Sequence, residues 1–149
     1  DGVVVMGSTY DRDNDDPEPQ LQSHESNLLR LAQLLPDALA GVNAAKLDGA
    51  VGFRCVAPDR MPLIGAMPDV EAACARKAAL SGAQLADLPR SAGLYCASAY
   101  ASRGLVWATL AGELLASLLE GEPLPLESDL ADALDPGRFV VRQARHAKL

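Results

Sequence analysis

An α+β fold, shading into α/β, with long loops that need a partner surface, is what this sequence predicts. Two kinds of periodicity carry that expectation. Apolar runs of strand length recur at residues 3–6, 50–56, 63–66 and 94–97. Longer stretches at 28–35 and 105–120 repeat their apolar positions at helical spacing instead. No internal repeat relates these segments. A third observation is composition: 149 residues, 49% hydrophobic and 22% charged, suffice for a packed core. Aromatics make up only 4%, so that core must be built from Leu, Ala and Val.

Taken in order, Val3 to Met6, closed by Gly7, reads as a short buried strand. The acidic, Pro-containing "DRDNDDPEPQ" that follows reads as a solvated loop; its aspartates would attract a cation, but solvation is the commoner meaning. Ser23 or Ser26 is placed to cap a helix with apolar positions Leu28, Leu31, Ala32 and Leu35, and Pro36 ends it or restarts a turn. Ala50 to Val56 is expected as a strand, and Leu63 to Ala66 as a second after Pro62. Asp69 to Leu80 has an Ala-rich helix pattern, with Glu71, Arg76 and Lys77 on its wet face. "SGAQLADLPRSAG" is loop-like, Leu94 to Ala97 is a third strand, and "AYASRG" is a turn of small residues. Leu105 to Glu120, closed by Gly121, is the strongest helix signal. Apolar nearly all round, it is expected to be buried. Pro123 and Pro125 stiffen an exit loop, and Ser128 to Leu134 reads as one more short helix.

A net charge of −7 argues against a broad nucleic-acid-binding surface, although Arg138, Arg142, Arg145 and Lys148 gather into a local basic tail. Cys55, Cys74 and Cys96 are odd in number and unevenly spaced, which reads as reduced thiols in a cytoplasmic protein. His24 and His146 lie at opposite ends, so neither a metal site nor a Ser–His–Asp or Cys–His set can be assembled, and no catalytic acid or base is assigned. Gly112 and Glu113 interrupt the best candidate for a membrane span, and no signal peptide is visible. The sequence opens without Met and goes at once into an apolar run, so a piece of a longer protein is expected.

Three places have chemical potential. Arg54 lies among Val51, Phe53, Cys55 and Val56, where a guanidinium is costly unless an anion meets it. The commonplace alternative is an edge-strand arginine paired with a nearby acid; the sharper one is the planar fork of Arg54 holding a ligand carboxylate. "ASAYASRGLVWATLAGELL" joins a strand to a helix through small residues, so the first-turn N–H groups suit an anion or a carbonyl. Its alternative is a helix capped by Ser102 that binds nothing. Tyr10, at a strand end, is either packing or pocket lining. Neither G-x-G-x-x-G nor G-x-x-x-x-G-K-[ST] occurs in the sequence.

Together these stretches resemble the D-amino-acid-oxidase-like flavoprotein superfamily. "GFRCVAPDRMPLIGAMPD" is similar to its G-x-R-x-x-x-x-D-x-x-P-x-I-G segment, and "GLYCASAYASRGLVWATLAGELLASLLEGEPLPL" to its last strand, flavin-contacting turn and C-terminal helix. "GFRC", "PDRMPLIG", "SRGL" and "EPLPLESDLADALDPGRF" most resemble the oxidoreductase half of the bifunctional tRNA 5-methylaminomethyl-2-thiouridine biosynthesis family, over about Val3 to Arg142. Cys55 stands where many relatives have proline, which favours that family over the free amino-acid oxidases.

The resemblance implies part of a substrate-domain (cap) sheet over residues 1–57, then the last strand and C-terminal helix of an FAD domain over 58–149, with the dinucleotide fingerprint expected upstream. It implies FAD in the full-length protein, absent from this piece, which alone would be inactive. The implied reaction is oxidation of the C–N bond of the carboxymethylaminomethyl group on a tRNA wobble uridine, releasing glyoxylate. An upstream methyltransferase domain in the same chain then completes the modification. Arg54 falls on the arginine that holds the substrate carboxylate, Arg103 on a second such arginine, and Tyr10 beside the substrate. Ala101, Ser102, Arg103, Gly104, Leu105, Val106 and Trp107 match the stretch whose backbone meets the flavin ring. Two rivals remain: oxidation of a free amino acid such as glycine or sarcosine, and a non-catalytic assembly module. Dimerisation through the Leu-rich helix is also expected to be open to the piece.

Overall fold

The computed structural model describes residues 3–76 and 84–146, and it is a mixed α+β protein. Residues 1–53 and 54–149 form two compact units. The expectations for Lys77, Leu80, the start of "SGAQ" and Lys148 fall outside the described residues.

In the first unit, α1 spans Leu21–Leu34, starting ahead of the serines expected to cap it; Gln20 occupies the N-cap position and makes no side-chain capping bond. Leu35 ends the helix, and Pro36–Leu39 turns as a short 3-10 segment. A second 3-10 turn, Ala44–Lys46, is started by Asn43, whose Oδ1 accepts from the Ala45 N–H at 2.9 Å. The acidic loop bonds to itself: the Asp16 N–H donates to Asn14 Oδ1 at 3.0 Å, and the Glu18 N–H to Asp16 Oδ1 at 2.9 Å. Arg30 donates to the Ser8 carbonyl at 2.7 Å and ties the N-terminal stretch to α1. Val3 to Met6 is not the expected strand: it is irregular, and Val3, Val4 and Val5 are exposed. An apolar run becomes a strand only where another edge takes up its backbone groups.

The second unit is built on an antiparallel pair, β1 (Leu63–Pro68) and β2 (Arg90–Ser98). Leu63 faces Ser98, Ile64 faces Ala97 and Gly65 faces Cys96, with an irregularity between Ala66 and Pro68. Gly65 has φ +137°, which a residue with a side chain rarely adopts. Between the strands, α2 (Val70–Ala75) is capped by Asp69, whose Oδ1 accepts from the Ala72 N–H at 2.9 Å. Strand β2 begins at Arg90, earlier than the Leu94 expected, because its first residue already pairs with Pro68.

Helix α3 (Gly104–Glu120) stops at Gly121, whose φ of +70° lets its own N–H and that of Glu122 reach the Ser117 carbonyl. Helices α4 (Ser128–Leu134) and α5 (Arg138–His146) follow, the latter not expected from the sequence. One core gathers Ile64 of β1, Ala111 and Leu114 of α3 and Leu134 of α4, with Met61, Tyr100, Trp107, Leu115 and Leu126 against it. A second joins Ala73, Leu88 and Val141.

Two further expectations are corrected. Helix α3 is not buried all round: only Ala111, Leu114 and Ser117 are, while Leu105 is 97% exposed and Val106 and Leu119 are also open. One stripe joins Ile64 of β1 and Leu134 of α4 in the core, with Trp107 and Leu115 against it. Residues 50–56 are not a strand either; they run without regular structure, and only Val56 makes a bridge, to Tyr100.

Candidate functional site

The one bridge of the 50–56 segment joins it to the turn before α3. Val56 pairs antiparallel with Tyr100, and the Ala101 N–H donates to the Cys55 carbonyl at 3.2 Å. The backbone that bears Arg54 is thus bonded alongside the backbone that leads to Arg103. Both arginines are exposed.

The turn itself is tight. Its closing bond runs from the Arg103 N–H to the Tyr100 carbonyl at 2.9 Å, and Ala99 and Ala101 have φ of +60° and +52°. Arg60, on the facing loop, has φ +60°. Side chains beyond Cβ, or Cβ alone, make this left-handed region costly, and such residues persist where the surroundings fix them, as at ligand clamps. In residues 54–149, the three described non-glycine residues with positive φ are these three.

Arg103, not the alternative Ser102, is the N-cap residue of α3, and it makes no side-chain capping bond. Its guanidinium Nη2 donates instead to the Arg60 carbonyl at 2.6 Å. With no capping bond from the N-cap side chain, the N–H groups of Gly104 and Leu105 suit an acceptor at the positive end of the dipole. Ala101, Ser102 and Gly104 are small, and a Cβ built on Gly104 would touch only Tyr100, at 3.8 Å. Leu105 and Val106 add an open apolar surface. A flat heteroaromatic ring with a carbonyl edge fits this set: backbone donors for the carbonyl, aliphatic surface for the ring. Trp107 serves the interior, since its side chain packs on the Ile64–Leu114 core.

Behind the loop lies an ion cluster that the sequence motifs did not reveal. The buried Arg138 donates through Nε and Nη2 to the two carboxylate oxygens of Asp59, each at 2.9 Å. Arg142 adds a third bond, Nη1 to Asp59 Oδ2 at 2.9 Å. These bonds, led by those of Arg138 and joined by the Met61 N–H, hold the Asp59 carboxyl well below the usual carboxylate range despite its burial. Arg138 and Arg142 also lie over the Phe139 ring, at 4.5 and 5.5 Å from its centroid. Arg138 is therefore not part of a solvated basic tail, and Arg142 is engaged within the unit. The available signal was the aspartate of the "PDRMP" motif.

Cys96 donates weakly to the Leu63 carbonyl at 3.7 Å. Burial, with help from Asp135, raises its pKa and keeps it a protonated thiol, a poor nucleophile. Burial likewise raises Tyr100. Tyr10 is exposed and belongs to the unit of residues 1–53. No described helix is long and apolar enough to cross a membrane.

Comparison with known proteins gives a consistent answer. Residues 1–118 match the family described as FAD dependent oxidoreductase (DAO). The chain is 52% identical, over 99% of its length, to the tRNA 5-methylaminomethyl-2-thiouridine biosynthesis bifunctional protein MnmC of Burkholderia pseudomallei (strain 1710b). The protein of the same name from Burkholderia mallei (strain SAVP1) is also 52% identical over 99% of the chain. The chain spans 23% of the length of each of these relatives.

Proposed function

The chain belongs to the FAD dependent oxidoreductase family, and on that premise we propose that it carries the substrate-clamping and ring-facing part of a tRNA-modifying C–N oxidoreductase. The substrate is the carboxymethylaminomethyl group of a wobble uridine, and the carboxymethyl carbons leave as glyoxylate. A methyltransferase domain in the same protein is the expected partner activity, as the word bifunctional in the relatives' name suggests. Residues 1–57 belong to the substrate-binding side and 58–149 to the flavin side.

The observation that carries the reading is the backbone pairing of the Arg54 segment with the Arg103 turn, through Val56–Tyr100 and Ala101–Cys55. It gives two guanidinium-bearing residues a common support next to a helix start suited to a carbonyl. Arg54 and Arg103 bind the substrate carboxylate. Two charge-assisted contacts from different segments fix both its position and its rotation, which lowers the entropic part of the barrier. When bound, FAD supplies the hydride acceptor. The first-turn N–H groups at Gly104 and Leu105 offset the negative charge that develops at the ring edge. No side chain is assigned as a base; the amine must reach the site neutral, so activity rises with pH until the substrate amine is deprotonated.

The decisive experiment compares turnover on tRNA bearing the carboxymethylaminomethyl group with turnover on free glycine. Activity on the tRNA alone supports the reading, whereas oxidation of glycine alone makes the protein a free amino-acid oxidase. In the active protein Arg54→Ala raises KM for the carboxymethyl substrate by about two powers of ten, the value of one charge-assisted contact. Unchanged kinetics would remove Arg54 from the clamp.

A further inference from the structure

The Asp59–Arg138 pair lies outside the clamp, yet it controls the loop on which the clamp leans. Besides both oxygens of Asp59, the Arg138 guanidinium donates to the carbonyls of Met61 at 3.0 Å, Leu134 at 3.0 Å and Asp135 at 3.1 Å. Asp59 and Met61 flank Arg60, so both neighbours of Arg60 are bonded to one buried side chain. Asp59 also accepts from the Met61 N–H at 3.2 Å, closing the loop on itself. The Arg60 carbonyl, held between these points, accepts from Arg103 Nη2 at 2.6 Å.

A long exposed arginine gives up much rotamer freedom when it meets a ligand, unless something has already ordered it. One bond to a fixed carbonyl orders the planar fork and leaves the other guanidinium N–H groups for a carboxylate. We propose that Arg138 is a positioning residue: through Asp59 and Met61 it fixes the Arg60 carbonyl, which orients the Arg103 guanidinium. The consequence for catalysis rests on the reading of Arg103 as a carboxylate ligand, but the ordering of Arg103 does not. Arg142, 53% exposed and hydrogen-bonded to Asp59 through Nη1, is an auxiliary, since Arg138 holds both flanks of Arg60.

The test uses the flavin-loaded protein with Arg138→Gln and Asp59→Asn; the second leaves Arg138 and its carbonyl bonds in place and is read if the first fails to fold. Arg90→Gln is the control, because it breaks the 2.8 Å Arg90–Asp135 pair next to Arg138 without touching Asp59. The {1H}–15N heteronuclear NOE of the Arg103 Nε–H reports order without any substrate. It falls toward free side-chain values in Asp59→Asn and Arg138→Gln and holds in Arg90→Gln, although that control also lowers the melting temperature. KM for the carboxymethyl substrate rises on the order of tenfold in the first two with kcat little changed, below the 10²-fold that a 1 Å misplacement can cost. Combining Asp59→Asn with Arg103→Ala adds nothing to Arg103→Ala alone. An Arg103 signal as ordered in Asp59→Asn as in the parent overturns the proposal. If the signal loosens but Arg103→Ala leaves KM unchanged, the positioning stands and the clamp reading falls.

Discussion

Among single residues, Asp59 and Arg138 show how far apart in the chain an energetic unit can be: they are 79 positions from each other. The sequence marked Asp59 by its motif and put Arg138 in a basic tail, because nothing local distinguishes a solvated arginine from one whose acid lies half a chain away. Burial decides their worth. Arg138 is 5% exposed, so Asp59→Asn leaves a buried guanidinium with carbonyl partners only and costs about 3 kcal/mol in urea unfolding. Arg142→Ala at a half-exposed position costs under about 1 kcal/mol, and less still in high salt. Acid titration gives an independent check. The folded-state pKa of Asp59 lies below its unfolded value, so its stabilisation is complete above roughly pH 4 and fades as the pH falls further. Asp59→Asn removes that part of the acid sensitivity, so its unfolding free energy falls less steeply below pH 4 than that of the parent.

Elements were legible in proportion to how local their signals are. Helix α4 matches its expected bounds, β1 starts where Pro62 releases it, and Gly121 ends α3 in the left-handed conformation that glycine tolerates. Residues 3–6 and 50–56 were misread because apolar character states that a strand would be tolerated, not that an edge is there to pair with it. Helix α3 starts at Gly104, one residue ahead of the expected Leu105, with Arg103 at the N-cap. Its burial was misjudged because an all-round apolar helix carries no phase information. Two substitutions expose the phase: Leu114→Ala, at 1% exposure, costs about 3 kcal/mol, while Leu105→Ala, at 97%, shifts thermal unfolding negligibly. Gly121→Ala costs about 1 kcal/mol, and from backbone strain alone, since its Cβ would meet nothing within 4 Å.

For the molecule as a whole, the family and the mixed α+β class were more legible than the strand pairing, because motifs such as "GFRCVAPDRMP" keep their order even where the pairing around them is irregular. On the proposed reading, what the 149 residues offer a flavin is one edge of the ring: the small-residue turn, the first N–H groups of α3 and the open Leu105 and Val106. Dinucleotide cofactors draw much of their affinity from a pyrophosphate seated on a glycine-rich helix start, and no G-x-G-x-x-G is present in these 149 residues. A ring edge without the pyrophosphate seat gives too few directed contacts to retain a cofactor through purification. The 149-residue chain, purified alone, therefore shows no stoichiometric visible flavin absorbance, and adding FAD does not raise its melting temperature at concentrations that saturate a holoenzyme. A yellow chain with one flavin per polypeptide would mean that these residues bind the nucleotide by contacts outside the turn, and the division of labour between clamp and cofactor seat would have to be redrawn.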